Sequence, residues 1–435
     1  MATIGIRLED KNRWERRVPL TPADAAAVQS ASGHEILVQP SEVRIFSNEE
    51  YRAAGLRVTN DAVKADVLVA VKEIPASLFR PGGVYVCFSH TIKGQSYNMP
   101  MLRKLLDVGA TLVDYERVVD AAGRRLIFFS LHAGYAGMIE SLRALGLRLA
   151  NRGRETALAE VKPAYEYTDI AAAELHLREI GRKLADTWQG EPLVIGISGY
   201  GNVSFGAQTV LDWLTDVSLA VTDLPHAALK APGVALAKVV FHEHHMVRPA
   251  GDHDFVLQDY FDHPERYRGC FSDHLPHLDL LVNTIFWTDR YPRLVTKEWA
   301  AAAFADGREP RLQVIGDISI DIEGSIEMSV KSTHPDQPCF VYDPLTGGIT
   351  DGVVGRGLAI MAVDNLPCEL PRESSQHFSS VLKDMVAPLG DADWSASFAD
   401  LDLPPHLKTA VIAHGGKLAP AYAYLSDSLA ALEDG

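Results

Sequence analysis

The sequence predicts an α/β protein with two Rossmann-like doubly wound parallel-sheet domains and an interdomain cleft. Three observations point there. Short apolar runs alternate with stretches of helical spacing along most of the chain, the pattern of strands covered on both faces by helices. One such run, Leu193-Val194-Ile195-Gly196-Ile197-Ser198, passes directly into Gly199-Tyr200-Gly201-Asn202-Val203-Ser204-Phe205-Gly206 and then into a helical stretch with Val210, Leu211 and Leu214 on one side. At 435 residues the chain is also long enough to bury two separate cores.

Taken in order, Thr3-Ile4-Gly5-Ile6 is the first expected strand. Thr21-Pro22 opens a helix over 23–30, with Thr21 as cap and Pro22 at the first helical position. Strands are expected at 36–39, 67–71, 84–88 and 111–113. A helix over 135–150, ended by Asn151-Arg152-Gly153, leads out of the first domain, and a second lies between Asp169 and Thr187. The runs at 278–285 and 314–325 read as further strands, each ending in polar residues, and the Ala/Leu-rich remainder beyond Pro404-Pro405 reads as helices. The expected division is a substrate domain of residues 1–133 plus 322–435 and a dinucleotide-binding domain of residues 134–321. No internal repeat or low-complexity tract interrupts it.

Apolar content of 47% and charge of 23% are those of a globular protein. A formal charge of -16 argues against nucleic acid and against an anionic membrane as partners, so anionic substrates must be met by locally placed Lys and Arg. No apolar run approaches the length of a membrane span, and the start Met1-Ala2-Thr3-Ile4-Gly5 lacks the basic and apolar regions of a signal peptide. Cys87, Cys270, Cys339 and Cys368 are scattered without C-x-x-C spacing, which favours reduced thiols and a cytoplasmic location. The sequence is silent on oligomeric state and leaves a homo-oligomer open.

The glycine turn is where a dinucleotide is expected, because a diphosphate must approach the backbone amides at a helix N-terminus and a Cβ would hold it off. Gly199, Gly201, Asn202, Val203, Ser204 and Gly206 are the candidate cofactor-binding residues, although Gly206 falls two places later than the third glycine of G-x-G-x-x-G. Asp223 closes the next apolar run at about the 20-residue distance expected of the acid that binds the adenosine ribose. Asn283, where 278–285 meets small polar residues, is placed near the nicotinamide. His242-Glu243-His244-His245 tempts a metal reading, with His residues spaced as on one strand face, but no compact ligand spacing of a known type is present and no metal is expected.

In the first domain polar groups collect where strands end: Lys72 and Glu73 after one, His90 and Lys93 after the next, Glu116 after the last. Ligands of open parallel sheets sit at those ends, so the substrate is placed there. A lone histidine after a strand is more often a hydrogen-bonded loop residue, and a lone lysine a solvated charge. Five apolar residues precede Lys72, however, setting it at the rim of a buried sheet where its pKa can fall, and with His90 it makes a plausible acid/base couple. The cations of Trp14-Glu15-Arg16-Arg17 follow the first strand, and one guanidinium there can clamp a carboxylate.

Arg17-Val18-Pro19-Leu20-Thr21-Pro22, Val71-Lys72-Glu73 and Phe88-Ser89-His90-Thr91-Ile92-Lys93 resemble the N-terminal domain shared by alanine dehydrogenase, the proton-translocating transhydrogenase and lysine-forming saccharopine dehydrogenase. The likeness is strongest to the lysine-ketoglutarate reductase half of the bifunctional aminoadipic semialdehyde synthases, which the glycine turn, the His242–Arg248 block and Asp364-Asn365-Leu366-Pro367…Leu370-Pro371-Arg372-Glu373 also resemble. The resemblance implies Lys72 and His90 as the acid/base pair, Asp321 as a catalytic or site-closing acid, and Arg17 on a substrate carboxylate. It implies Glu15, Glu73, Lys93, Glu116, Arg125 and Phe129 as the rest of the substrate site. His132, in Phe129-Ser130-Leu131-His132-Ala133-Gly134, departs from the aromatic expected there and bears on substrate identity.

The implied reaction joins the ε-amine of lysine to 2-oxoglutarate and reduces the imine with NADP or NAD, giving saccharopine, or runs in reverse. Asp223 favours NAD whereas the reductase resemblance leans to NADP, and Lys230 lies too far along to settle it. The rival readings are an opine-type or amino-acid dehydrogenase acting on another amine or 2-oxo acid, and a non-catalytic nucleotide-sensing module.

Overall fold

The buried apolar runs become strands of two sheets, in two compact units of residues Met1–Phe129 with Pro371–Gly435 and of residues Ser130–Leu370. The computed structural model describes residues 1–227 and 233–431. Lys230 lies outside the described residues.

In the first unit, β1 (Thr3–Ile6), β2 (Glu35–Val38), β3 (Arg57–Val58), β4 (Val67–Val69), β5 (Val84–Cys87) and β6 (Thr111–Asp114) are parallel, in the order β6-β5-β4-β1-β2-β3. The helix Pro22–Ser32 starts as expected: the Thr21 side chain accepts from the Asp24 amide and Pro22 occupies the first turn. Registers pair Val69 with Val86 and Cys87 with Asp114, so the carboxyl ends of β4, β5 and β6 come out level. The remainder beyond Pro405 is not all helix: Val411–His414 pairs antiparallel with β6, and Lys417–Leu418 pairs with it in turn to form that edge of the sheet. An edge strand in an antiparallel hairpin lacks the long apolar run of a central one, which hid it.

The second unit has β7 (Leu193–Ser198), β8 (Leu236–Phe241), the small antiparallel pair β9 (Val247–Pro249) and β10 (Tyr267–Gly269), then β11 (Leu280–Asn283), β12 (Val314–Asp317), β13 (Cys339–Tyr342), β14 (Ile349–Asp351) and β15 (Leu358–Met361). Its main sheet runs β14-β13-β15-β12-β11-β7-β8, parallel except around β13. The chain returns to the first unit at 370/371 rather than 321/322. The reason is pairing: β15 continues the sheet beside β12, and β13 and β14 follow it. The helix Pro371–Asp391 then belongs to the first unit, where Ser375 and Ser379 accept from the Val18 and Thr21 amides at 2.9 Å each.

The helix Ser130–Asn151 crosses the helix Asn202–Leu211 without room for side chains at the crossing. A Cβ on Gly206 would lie 2.2 Å from the Leu131 carbonyl oxygen, and one on Gly134 would lie 2.1 Å from that of Val203. The late third glycine therefore serves helix packing.

Candidate functional site

The level ends of β4, β5 and β6 gather titratable groups in the first unit. Glu9, three residues past the end of β1, is buried and accepts from the backbone amides of Val71 at 2.6 Å and Lys72 at 3.0 Å, fixing the turn that presents Lys72. Burial, reinforced by the nearby Glu15, pushes the Glu9 carboxyl up to about 7. Lys72 itself is half-buried. Desolvation, with the neighbouring cations Arg17 and Lys11, holds its amine below the ordinary lysine range.

His90 follows β5 in the left-handed region, at φ 50°. Such a conformation in a non-glycine residue needs support from its surroundings. Asn98 supplies part of it by donating to the Ser89 carbonyl at 2.9 Å, and the Ser89 hydroxyl and amide both donate to the buried Asp114 at the end of β6. The His90 Nδ1 lies 2.7 Å from a Glu73 oxygen, and Lys11 donates to the same carboxylate at 3.0 Å. Burial works against ionisation of Glu73, but the hydrogen bond and charge of His90, helped by Lys11, hold its carboxyl well below the usual range. An ionised carboxylate only accepts, so Nδ1 carries the proton and Nε2 is the nitrogen left to exchange one.

Arg17 and Glu15 form a buried fork, with Arg17 Nε to Glu15 at 2.7 Å and a terminal nitrogen to its other oxygen at 2.5 Å. The Arg17 guanidinium also lies 4.3 Å from the Phe129 ring centroid, which in turn stacks on Phe378. Arg125 sits over Phe88 at 5.9 Å, Lys93 is exposed, and Glu116 is half-buried after β6. Lys72, Glu73, His90, Glu15 and Arg17 thus belong to one electrostatic neighbourhood. Glu9, Lys11, Asn98 and Asp114 were missed by sequence reasoning; Arg7 separates Glu9 from the apolar run of β1, so Glu9 lacks the signal that marks Lys72.

In the second unit a cavity of about 520 Å³ lies at the carboxyl ends of β7, β8 and β11. Gly199, Gly201, Asn202 and Val203, the residues expected to hold the cofactor, line it. Gly199 takes φ 93°, and a Cβ at Gly201 would meet nothing within 4 Å, so the turn leaves open space at the N-terminus of the helix Asn202–Leu211. A dinucleotide diphosphate fits such a cradle, where free amides point outward. Ser204 closes the turn from beneath, its hydroxyl donating to the Gly199 carbonyl at 2.7 Å.

Other expected cofactor residues lie elsewhere. Asp223 sits on the short turn of 3₁₀ helix Val221–His226 and does not line this cavity. The spacing rule takes the apolar run at 217–222 as the strand beside β7, but β8 holds that place and residues 217–219 only bridge to its outer edge at Lys238. Asn283 is fully buried: its amide donates to Asp317 at 2.8 Å and Ser325 at 2.9 Å and accepts from Ser198 at 3.0 Å. It braces the ends of β7, β11 and β12 from inside the sheet. Asp317 is the buried acceptor of that network, and burial pushes its carboxyl up to about 6. Asp321 is exposed on the turn that follows.

The histidine block does not continue a strand. β8 stops at Phe241 and Glu243–Met246 is a helical turn, so alternate residues share no sheet face. His242 stacks on Tyr200 with centroids 4.4 Å apart, and the His274 ring and the His245 carbonyl are hydrogen-bonded at 3.0 Å. Among the described residues, no group of three or more His, Cys, Asp or Glu is placed to hold a metal ion. No described helix is long and apolar enough to cross a membrane.

Comparison with known proteins agrees with this architecture. The family model described as alanine dehydrogenase/PNT, N-terminal domain, matches residues 5–136, and that described as alanine dehydrogenase/PNT, C-terminal domain, matches residues 227–420. The chain is 34% identical over 448 residues to alpha-aminoadipic semialdehyde synthase of Arabidopsis thaliana, across 97% of this chain and 41% of that protein, so it spans less than half of that relative's length. It is 26% identical to saccharopine dehydrogenase (NAD(+), L-lysine-forming) of Emericella nidulans, across 90% of this chain and 92% of the relative. A solved L-alanine dehydrogenase superposes with a TM-score of 0.63 at 18% identity, covering 98% of this chain and 99% of that one, a likeness of fold. With both domain models matched and the two-sheet architecture shared, the chain belongs to the alanine dehydrogenase/PNT family.

Proposed function

We propose that the chain is a nicotinamide-dependent oxidoreductase that condenses L-lysine with 2-oxoglutarate and reduces the resulting imine to saccharopine, or catalyses the reverse. The observation that carries this reading is the Glu73–His90 contact at 2.7 Å, in a group where Lys72 is held below its ordinary pKa. Two titratable nitrogens with shifted or fixed proton states are what addition of an amine to a ketone requires. The names of the relatives, aminoadipic semialdehyde synthase and lysine-forming saccharopine dehydrogenase, support this substrate pair.

In the proposed chemistry neutral Lys72 takes a proton from the substrate ε-ammonium, freeing its nitrogen to attack the oxo carbon. One amine proton passes to the former carbonyl oxygen to give the neutral carbinolamine; His90 Nε2–H then gives a proton to its hydroxyl, which leaves as water and yields the protonated imine. The coenzyme, when bound, supplies the hydride that reduces the imine carbon. Arg17, its guanidinium fixed by Glu15, is proposed for one substrate carboxylate, with Arg125 and Lys93 as further cations, Glu73 and Glu116 near the amine, and Phe129 as an apolar wall. Asp321, an exposed carboxylate after β12 in the second unit, is proposed as a further acid of the reaction. The four cysteines are buried free thiols, which supports a reducing, cytoplasmic setting.

The test is coenzyme oxidation, followed by absorbance, across a matrix of amines and 2-oxo acids. Oxidation that needs both lysine and 2-oxoglutarate is the expected result. A preference for another pair would move the protein to an opine-type activity, and coenzyme binding without turnover on any pair would leave a sensing module.

A further inference from the structure

The cavity at the glycine turn has an uneven chemistry. Its lining holds one carboxylate, Glu243, and no Lys, Arg or His among the described residues. Glu243 stands just beyond the end of β8, and β8 pairs with β7 along its full length, from Leu193 with Leu236 to Ser198 with Phe241. In a sheet of this kind, the residue past the tip of the strand flanking the glycine turn is the one that meets the adenosine ribose. Glu243 is also held toward the turn, since the Tyr200 hydroxyl donates to its Oε1 at 3.3 Å and Tyr200 belongs to the glycine turn itself. The Tyr200 ring is in turn stacked on His242.

We propose that Glu243 selects the coenzyme, its carboxylate accepting hydrogen bonds from the adenosine ribose hydroxyls and excluding a 2'-phosphate, so that the chain binds NAD(H) in preference to NADP(H). This rests on the coenzyme reading above and gives to Glu243 the role that sequence spacing assigned to Asp223. The physical basis is the charge balance of the wall. A vicinal diol can donate to a carboxylate. A phosphomonoester carrying close to two negative charges would face that carboxylate with no cation in the lining to offset it.

The experiment is direct titration of NADH and NADPH, by nucleotide fluorescence or calorimetry, into the full chain without substrates. The wild type is expected to bind NADH at least about tenfold tighter than NADPH, the scale of one hydrogen bond to a charged group. Glu243→Gln should weaken NADH and bring the two affinities close together, Glu243→Arg should reverse the preference, and Asp223→Asn should leave the ratio unchanged. Circular dichroism of each variant checks that it is folded. A wild type that prefers NADPH, an unchanged ratio in folded Glu243→Gln, or a ratio that responds to Asp223→Asn instead, overturns the assignment and leaves the coenzyme reading standing. Failure of the wild type to bind either dinucleotide overturns the coenzyme reading itself.

Discussion

The Nδ1 of His90 and a carboxylate oxygen of Glu73 are hydrogen-bonded at 2.7 Å, joining the ends of two neighbouring parallel strands. This contact sets the tautomer of the imidazole and holds an unfavourable backbone conformation at φ 50°. Glu73→Gln removes the charge and supplies an amide able to donate, so the wrong ring nitrogen can be left protonated. The expected loss in kcat/KM is about 100-fold or more, and Glu73→Asp, which keeps an accepting carboxylate, should recover part of it. Steady-state kinetics check it: a Glu73→Asp variant no more active than Glu73→Gln would count against the orienting role.

Lys72→Met should lower kcat by about 100-fold or more if the amine moves a proton. Lys72→Arg should not restore it, because a guanidinium stays protonated at any accessible pH. Steady-state kinetics with lysine and 2-oxoglutarate decide the matter: full rescue by arginine would make Lys72 a mere countercharge.

Gly206→Ala places a methyl group 2.2 Å from a backbone carbonyl, and the helix crossing must open to admit it. The expected cost is about 2 kcal/mol, read as a lower thermal midpoint, accompanied by weaker dinucleotide binding because the same helix carries the glycine turn. Gly201→Ala is the contrast. Its added methyl meets no protein atom, so it should leave stability nearly unchanged and reduce dinucleotide affinity alone.

Glu140 and Glu369 are buried together in the second unit, and desolvation pushes both carboxyls up; Glu140 adds to the rise at Glu369, whereas the hydrogen bond from Glu369 partly offsets the rise at Glu140. Glu140 is pushed from 4.5 up to about 7. An acid whose folded-state pKa is raised contributes stability that is fully present below its unfolded value and is lost as pH rises through the folded one. Stability is therefore expected to decline between about pH 4.5 and 7, and Glu369→Gln should flatten that decline. Denaturant titrations at a series of pH values measure it, and equal slopes in wild type and variant would refute the assignment.

Most of the parallel strands were legible because strands covered on both faces leave continuous apolar runs, as in Leu193–Ser198. The acid/base groups were legible for a related reason: Lys72, Glu73, His90 and Glu116 all stand just after such runs. What stayed hidden depends on which strands become neighbours. The spacing from Gly201 to Asp223 carries no sign that β8, entering later, takes the place beside β7, nor do the short strands after residue 322 declare which sheet they join. Partnership between distant segments is decided by three-dimensional packing, to which local periodicity is blind.

The antiparallel pairing of Val411–His414 with β6 has a consequence for how the molecule comes into being on the ribosome. Residues 130–370 form a continuous stretch that can collapse while synthesis continues, whereas the first unit waits for strand and helix from beyond Pro371. Until they emerge, the flank of β6 presents bare amides and carbonyls to solvent, the kind of margin on which nascent chains stick to one another. A segment that follows the second unit in the chain thus seals a sheet begun before it.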